Sequence, residues 1–190
     1  MSDEEEPSGL IGGIEKREIV IADYDASWPE KYRTHARRIS ETLGVAAVRI
    51  EHIGSTSVPG LAAKPIVDML LVVADSANES CYLSKLAALG FELRVREPDF
   101  HEHRMFRTPE RDVHVHVLSI GSTEVDRYLT FRDRLRGNPG YRRLYEAEKR
   151  RLAARPWPDM NAYADAKTEC IERILAAESA DETSDGQIEP

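Results

Sequence analysis

Residues 65–73, PIVDMLLVV, constrain this chain more than any other stretch. The run is apolar at nearly every position, and a strand of that kind must be covered on both faces, which predicts a place in the middle of a sheet. A single carboxylate, Asp68, interrupts it. By strand alternation Ile66, Asp68, Leu70 and Val72 face one way, and Val67, Met69, Leu71 and Val73 the other. A carboxylate there is costly unless it is paired, hydrogen-bonded or bound to a metal. The plainer alternative is an Asp at the strand end that caps a neighbouring turn.

The other elements follow from period and punctuation. Residues 17–23 (REIVIAD) read as a short strand or an extended lead-in. Residues 25–44 predict a helix with Ser27 as N-cap, Pro29 in the first turn and Gly44 as its stop. Trp28, Tyr32, Ala36, Ile39 and Leu43 form its apolar stripe. VAAVRIEHI predicts a strand with Val48, Ile50 and His52 on one face, and residues 78–89 predict a helix ended by Gly90. FELRVRE, HRMFRT and the strictly alternating DVHVHVLS predict three more strands. From residue 122 onward the pattern is helical, broken at Gly137-Asn138-Pro139-Gly140 and at Pro156-Trp157-Pro158. The fold class is α+β: a mixed β-sheet flanked by helices, followed by a C-terminal helical run.

Charge sharpens the domain boundaries. The net charge is −8, yet all 26 Lys and Arg fall between Lys16 and Arg173. Of the 34 acids, nine lie among the first ten or the last thirteen residues, leaving 25 against those 26 bases. The body is thus near neutral between two acidic tails, residues 1–15 and 178–190, which are expected to be disordered around one domain over residues 16–177. A neutral body gives no support for wide nucleic-acid contact and leaves a small anionic ligand open. No run approaches the ~20 apolar residues of a membrane span. The acidic N-terminus is unlike a signal peptide, so a cytoplasmic location is expected. Cys81 and Cys170 make no metal motif and read as small buried apolar residues.

Four motifs carry potential chemistry. GSTSVPG is either an ordinary turn or a phosphate cradle, with Gly54 allowing close backbone approach and Ser55, Thr56 and Ser57 supplying donors. Lys64, where the loop ends, meets either a phosphate or a surface acid. His114 and His116 share a strand face with Asp112, so both can reach one metal or ligand, or both can simply face solvent. HEHRMFR adds His101, His103, Arg104 and Arg107 on what should be a neighbouring strand. The Arg-rich helical region carries interleaved acids and reads as a solvated face.

HIGSTSVPGLAAKPIVDMLLVV, RMFR before VHVHVLS, YLTFRDRLRGNPGYRRLYEAEKRRLA and NAYADAKTECIERIL together resemble the GrpB-like family, a branch of the polymerase-beta-type nucleotidyltransferase superfamily. That resemblance implies a nucleotidyltransferase-like sheet, a Gly-Ser pair that holds triphosphate, and three acids that hold two Mg²⁺ ions for in-line transfer. Gly54 and Ser55 match the phosphate-binding pair, and Asp68 matches one carboxylate. Ile66 and Leu70 stand where a second carboxylate would be, and the later strand offers His114 and His116 in place of a third acid. One carboxylate with histidines suits a single cation, Mg²⁺, Mn²⁺ or Zn²⁺, with the softer two favoured, or no metal at all. The implied ligand is a nucleotide or another phosphorylated small molecule. Its phosphates would lie on Gly54, Ser55, Thr56 and Lys64, with His52 and Ser57 at the borders of the turn, Arg104 and His114 lining the pocket and Lys167 reaching back. Asp68 and His116 would hold the cation or act as base. Three activities follow: nucleotidyl transfer to a small acceptor, nucleotide binding without catalysis, and His/Asp metal-dependent hydrolysis.

Overall fold

The computed structural model describes residues 9–14 and 16–177. Five strands form one mixed sheet: β1 (Arg49–Ile53), β2 (Val67–Val73), β3 (Glu92–Glu97), β4 (His103–Arg107) and β5 (Val113–Ser119), in the order β1-β2-β5-β4-β3. β2 and β5 are parallel, and every other pairing is antiparallel. The apolar run thus lies inside the sheet, between β1 and β5.

Both faces of β2 are covered, by different partners. Val67, Met69, Leu71 and Val73 join Val113, Val115, Val117 and Phe106 beneath α1 (Trp28–Leu43) and α2 (Leu83–Ala88). Leu70 and Val72 pack with Ile53 and Leu118 against Val125 and Leu129 of α3 (Thr123–Gly137). Burying a side chain of this size stabilises the fold by about 1.5–3 kcal/mol. A third cluster joins α3, α4 (Pro139–Ala153) and α6 (Thr168–Ala176) to the loop after β1 through Val58, Leu61, Leu135, Tyr145 and Ile174.

Local chemistry fixes the helix ends that matter for the site. Asn138 caps α4, its Oδ1 accepting from Gly140 N at 2.8 Å and Tyr141 N at 3.2 Å, with Pro139 in the first turn. Asp159 caps the short α5 (Met160–Asp165) in the same way, accepting from the amides of Asn161 and Ala162. Gly44 ends α1 at φ +57°.

Several expectations need correction. Ser27 makes no side-chain cap; Asp25 instead accepts from the Ser27 amide at 2.7 Å. The helix expected over residues 78–89 is a 3₁₀ turn at Glu79–Cys81 followed by α2 alone. Of the two readings of REIVIAD the extended lead-in holds, touching the sheet region through the bridge from Ala22 to Ala63. Cys81 is exposed. The Arg-rich α3 is no solvated face throughout: Arg132 is buried, donating to Glu51 and to the His52 carbonyl, and Arg136 donates to the Ser57 carbonyl at 2.8 and 3.0 Å. Within the stretch expected to be the first tail, Leu10 bridges Val95 and Arg94 donates to the carbonyls of Ile11 and Gly13. Residues 1–8, 15 and 178–190, the rest of the expected tails, lie outside the described residues. No helix among the described residues is long and apolar enough to cross a membrane.

Candidate functional site

Asp68 stands one residue into β2, opposite Ile53 of β1, and the chain turns at Gly54 directly after that pair. Gly54 adopts φ +67°, and a Cβ there would lie 2.5 Å from Asp68 Oδ2. Only glycine lets the backbone turn this closely around the carboxylate. On the other side, parallel pairing sets His114 beside Asp68 and His116 beside Leu70, all on one face. His114 Nδ1 is 3.4 Å and His116 Nε2 3.8 Å from Asp68 Oδ1. Ligand atoms of the three residues all lie within 4.8 Å of one another. Burial would push the Asp68 carboxyl up, but His114 and His116 beside it, when protonated, hold it well below the usual carboxylate range. The carboxylate is ionised and set among groups that favour a positive neighbour.

These three residues line a cavity of about 460 Å³, which also opens onto Gly54, Ser55 and three lysines. Lys64 ends the loop before β2, Lys149 comes from α4, and Lys167 sits in the turn between α5 and α6. Lys64 and Lys167 place their ammonium groups 5.1 and 5.0 Å from the centre of the Tyr163 ring. Lys149 Nζ donates to Ser55 Oγ at 3.1 Å and to the Ala62 carbonyl. Burial and then the charge of Lys167 lower the Lys149 pKa to about 7. Burial and then Lys64 lower the Lys167 pKa to about 8. Cations that depress one another in a covered cavity form a site for an anion, because a bound anion relieves both penalties. Tyr163 lines the same cavity, and its buried hydroxyl has no hydrogen-bond partner among the described residues.

Residues 18–177 match the family model described as GrpB protein. The chain belongs to the GrpB family. A UPF0157 protein of Streptomyces coelicolor is 56% identical over 171 residues, covering 90% of each chain. A UPF0157 protein of Halalkalibacterium halodurans is 45% identical over 181 residues, covering 94% of this chain and 93% of the other. Among solved structures, the conserved protein GrpB from Enterococcus faecalis matches with a TM-score of 0.69 at 30% identity, over 82% of this chain and 99% of that one.

Within this GrpB-family chain the structure brings together Gly54, Ser55, Lys64, Asp68, His114, His116 and Lys167 of the expected site residues. Four others stand elsewhere. His52 pairs with Met69 on the α1 face, where it stacks on Tyr32 at 4.7 Å and bonds Thr56 Oγ1 at 3.1 Å. Burial lowers its pKa to about 4. Thr56 is thereby spent on His52, and Ser57 Oγ donates to the Gly54 carbonyl at 2.6 Å; both shape the turn and neither lines the cavity. Arg104 pairs with Val117, so it points to the face opposite Asp68, where Glu79 takes its Nε at 2.6 Å. Asp112, at the head of β5, is held by Lys31 at 2.7 Å and by Thr108 at 2.8 Å.

Sequence reasoning missed Lys149 and Tyr163. For Lys149 a signal exists: Tyr145, Lys149 and Leu152 are the buried residues of α4, spaced by four and three, so the lysine occupies an apolar stripe. Tyr163 carries no comparable mark, because its place depends on how the α5–α6 segment docks.

Proposed function

We propose that this protein binds a nucleotide or a closely related phosphorylated small molecule, with the phosphates on Lys64, Lys149, Lys167 and Ser55 and one divalent cation on Asp68, His114 and His116. The observation that carries this reading is that the lysine cluster and the Asp-His-His cluster open onto one cavity. The unpartnered Tyr163 hydroxyl supports a polar ligand there. The donor set also suits a cation. Tetrahedral ligands at about 2.0–2.1 Å from a metal lie ~3.4 Å apart, and the His114 to Asp68 separation is 3.4 Å. When bound, such a cation would polarise a phosphoryl oxygen and lower the pKa of a water or hydroxyl acceptor. The chain's own residues hold the phosphate charge through three ammonium groups, keep the carboxylate ionised, and set the Gly54 turn against it. The chemistry this supports is transfer of a nucleotidyl group to a small acceptor, run with one cation instead of two.

A second reading, nucleotide binding without turnover, is favoured by Ile66 and Leu70, which leave Asp68 without a second carboxylate two positions away on its own strand. Thermal-shift measurements with nucleoside triphosphates and Mg²⁺, Mn²⁺ or Zn²⁺ test the binding. The expected result is a nucleotide-dependent rise in melting temperature that a cation increases in the wild type and not in Asp68→Ala. Identical responses of the two proteins to every pair would sink the proposal. Pyrophosphate release that depends on metal and vanishes in Asp68→Asn would exclude the second reading.

A further inference from the structure

Resting on the cation site just described, we propose that Glu97 and His103 are positioning residues that lock His116 with its proton on Nδ1, so that its Nε2 lone pair faces Asp68 and the site takes a nitrogen-seeking divalent metal such as zinc or manganese in preference to magnesium. β4 sets His103 on the same sheet face as Met105 and Arg107, beside His116 on β5. Its Nδ1 lies 2.7 Å from Glu97 Oε2, across the β3–β4 register that pairs these two residues. Its Nε2 lies 3.0 Å from His116 Nδ1. The two rings are tilted by only 18° with centroids 5.2 Å apart, the arrangement of imidazoles joined edge to edge by an N–H···N bond.

With both rings neutral, as a metal-ligating imidazole must be, the hydrogen bonds along this row leave one arrangement. A carboxylate oxygen only accepts, so His103 Nδ1 carries a hydrogen and donates it to Glu97. In the neutral ring the Nε2 of the buried His103 then keeps a lone pair. That lone pair accepts from His116 Nδ1–H. His116 is then left with a lone pair on Nε2, which faces Asp68 Oδ1 at 3.8 Å. Two acceptors turned towards each other at this separation make no hydrogen bond and suit a positive centre between them. Histidine ligands held by a row of outer hydrogen bonds are a usual device for fixing a metal-binding tautomer. Two imidazole nitrogens beside one carboxylate fit zinc or manganese better than the oxygen-seeking magnesium.

Long-range ¹H–¹⁵N NMR on the metal-free protein reads the tautomers directly. His103 and His116 are both expected with the proton on Nδ1; a His116 protonated on Nε2 overturns the relay whatever the protein binds. Calorimetric Zn²⁺ titration of the wild type, His103→Leu and His103→Gln then tests the consequence. His103→Leu is expected to lose about 10- to 100-fold in affinity, and His103→Gln, whose Oε1 still accepts from His116 Nδ1–H, to keep most of it. Equal affinity in wild type and His103→Leu overturns the positioning role while leaving the nucleotide site intact. If the tautomers are as expected and the wild type takes up neither zinc nor manganese, the cation site itself fails, and the metal preference with it. An NMR fingerprint of each variant distinguishes lost affinity from lost folding.

Discussion

On the α1 side of β2 and β5, Val67, Met69, Leu71, Val113 and Val115 are wholly buried in one apolar cluster. One residue along the same strands, Asp68, His114 and His116 are only partly covered and look into a cavity with three lysines. A period of two lets a single strand pair serve both purposes, because alternate side chains never share an environment. The difference teaches that stability and ligand binding are separable in this protein. A substitution at one of these two sets of residues should move one property more than the other.

The largest expected effect is on the packed face. Met69→Ala should lower unfolding stability by about 2–5 kcal/mol in chemical denaturation, while Asp68→Asn, which opens no void, should cost less than Met69→Ala and abolish cation-dependent ligand binding. Equal stability losses would break the comparison. Next comes His52, whose pKa is lowered to about 4 by burial on the packed face. The unfolded chain takes up the proton near pH 6.5 and the folded one does not, so stability is full above 6.5 and is lost as pH falls towards 4. That loss should be on the order of 2–3 kcal/mol, and His52→Phe, which keeps the stack on Tyr32, should remove it from the pH profile.

Gly54 joins the two faces. Gly54→Ala should cost about 1–2 kcal/mol for its left-handed backbone, and should also weaken cation binding by pushing against Asp68 Oδ2. A variant that loses stability but binds the cation as wild type would show that the turn does not position the carboxylate. The smallest effect is a fraction of a proton. Lys149 and Lys167 have pKa values lowered to about 7 and about 8, and a bound phosphate raises both. Between pH 7 and 9 nucleotide binding should therefore take up protons, seen as a dependence of the calorimetric heat on the buffer's ionisation enthalpy. In the absence of ligand the sign for folding is the same as that of His52, in a higher window: above pH 7 the unfolded chain holds more protons, so these lysines make stability rise with pH.

The two central strands were legible because β5 alternates strictly and β2 is apolar at nearly every position, and the joint role of Asp68 and His116 was implied by the family resemblance. What could not be read was register. Val48, Ile50 and His52 do share a face, but only the pairing of Ile53 with Asp68 reveals that it is the face away from the cavity. Arg104 went astray for the same reason: its pairing with Val117 turns it from the site. Lys149 was hidden by composition, since its apolar spacing lies within a run of charges, and Tyr163 by docking of segments distant in sequence. The contacts that place His103 against both Glu97 and His116 likewise span two strand pairings.

The most direct test of the central claim is a crystal soaked with Mn²⁺ and a non-hydrolysable nucleoside triphosphate, with data collected at the manganese edge. The account predicts one anomalous peak among Asp68, His114 and His116, with phosphate oxygens reaching Lys64, Lys149 and Lys167. Nucleotide bound away from this cavity, or a cavity that stays free of both metal and phosphate at saturating concentration, would contradict it.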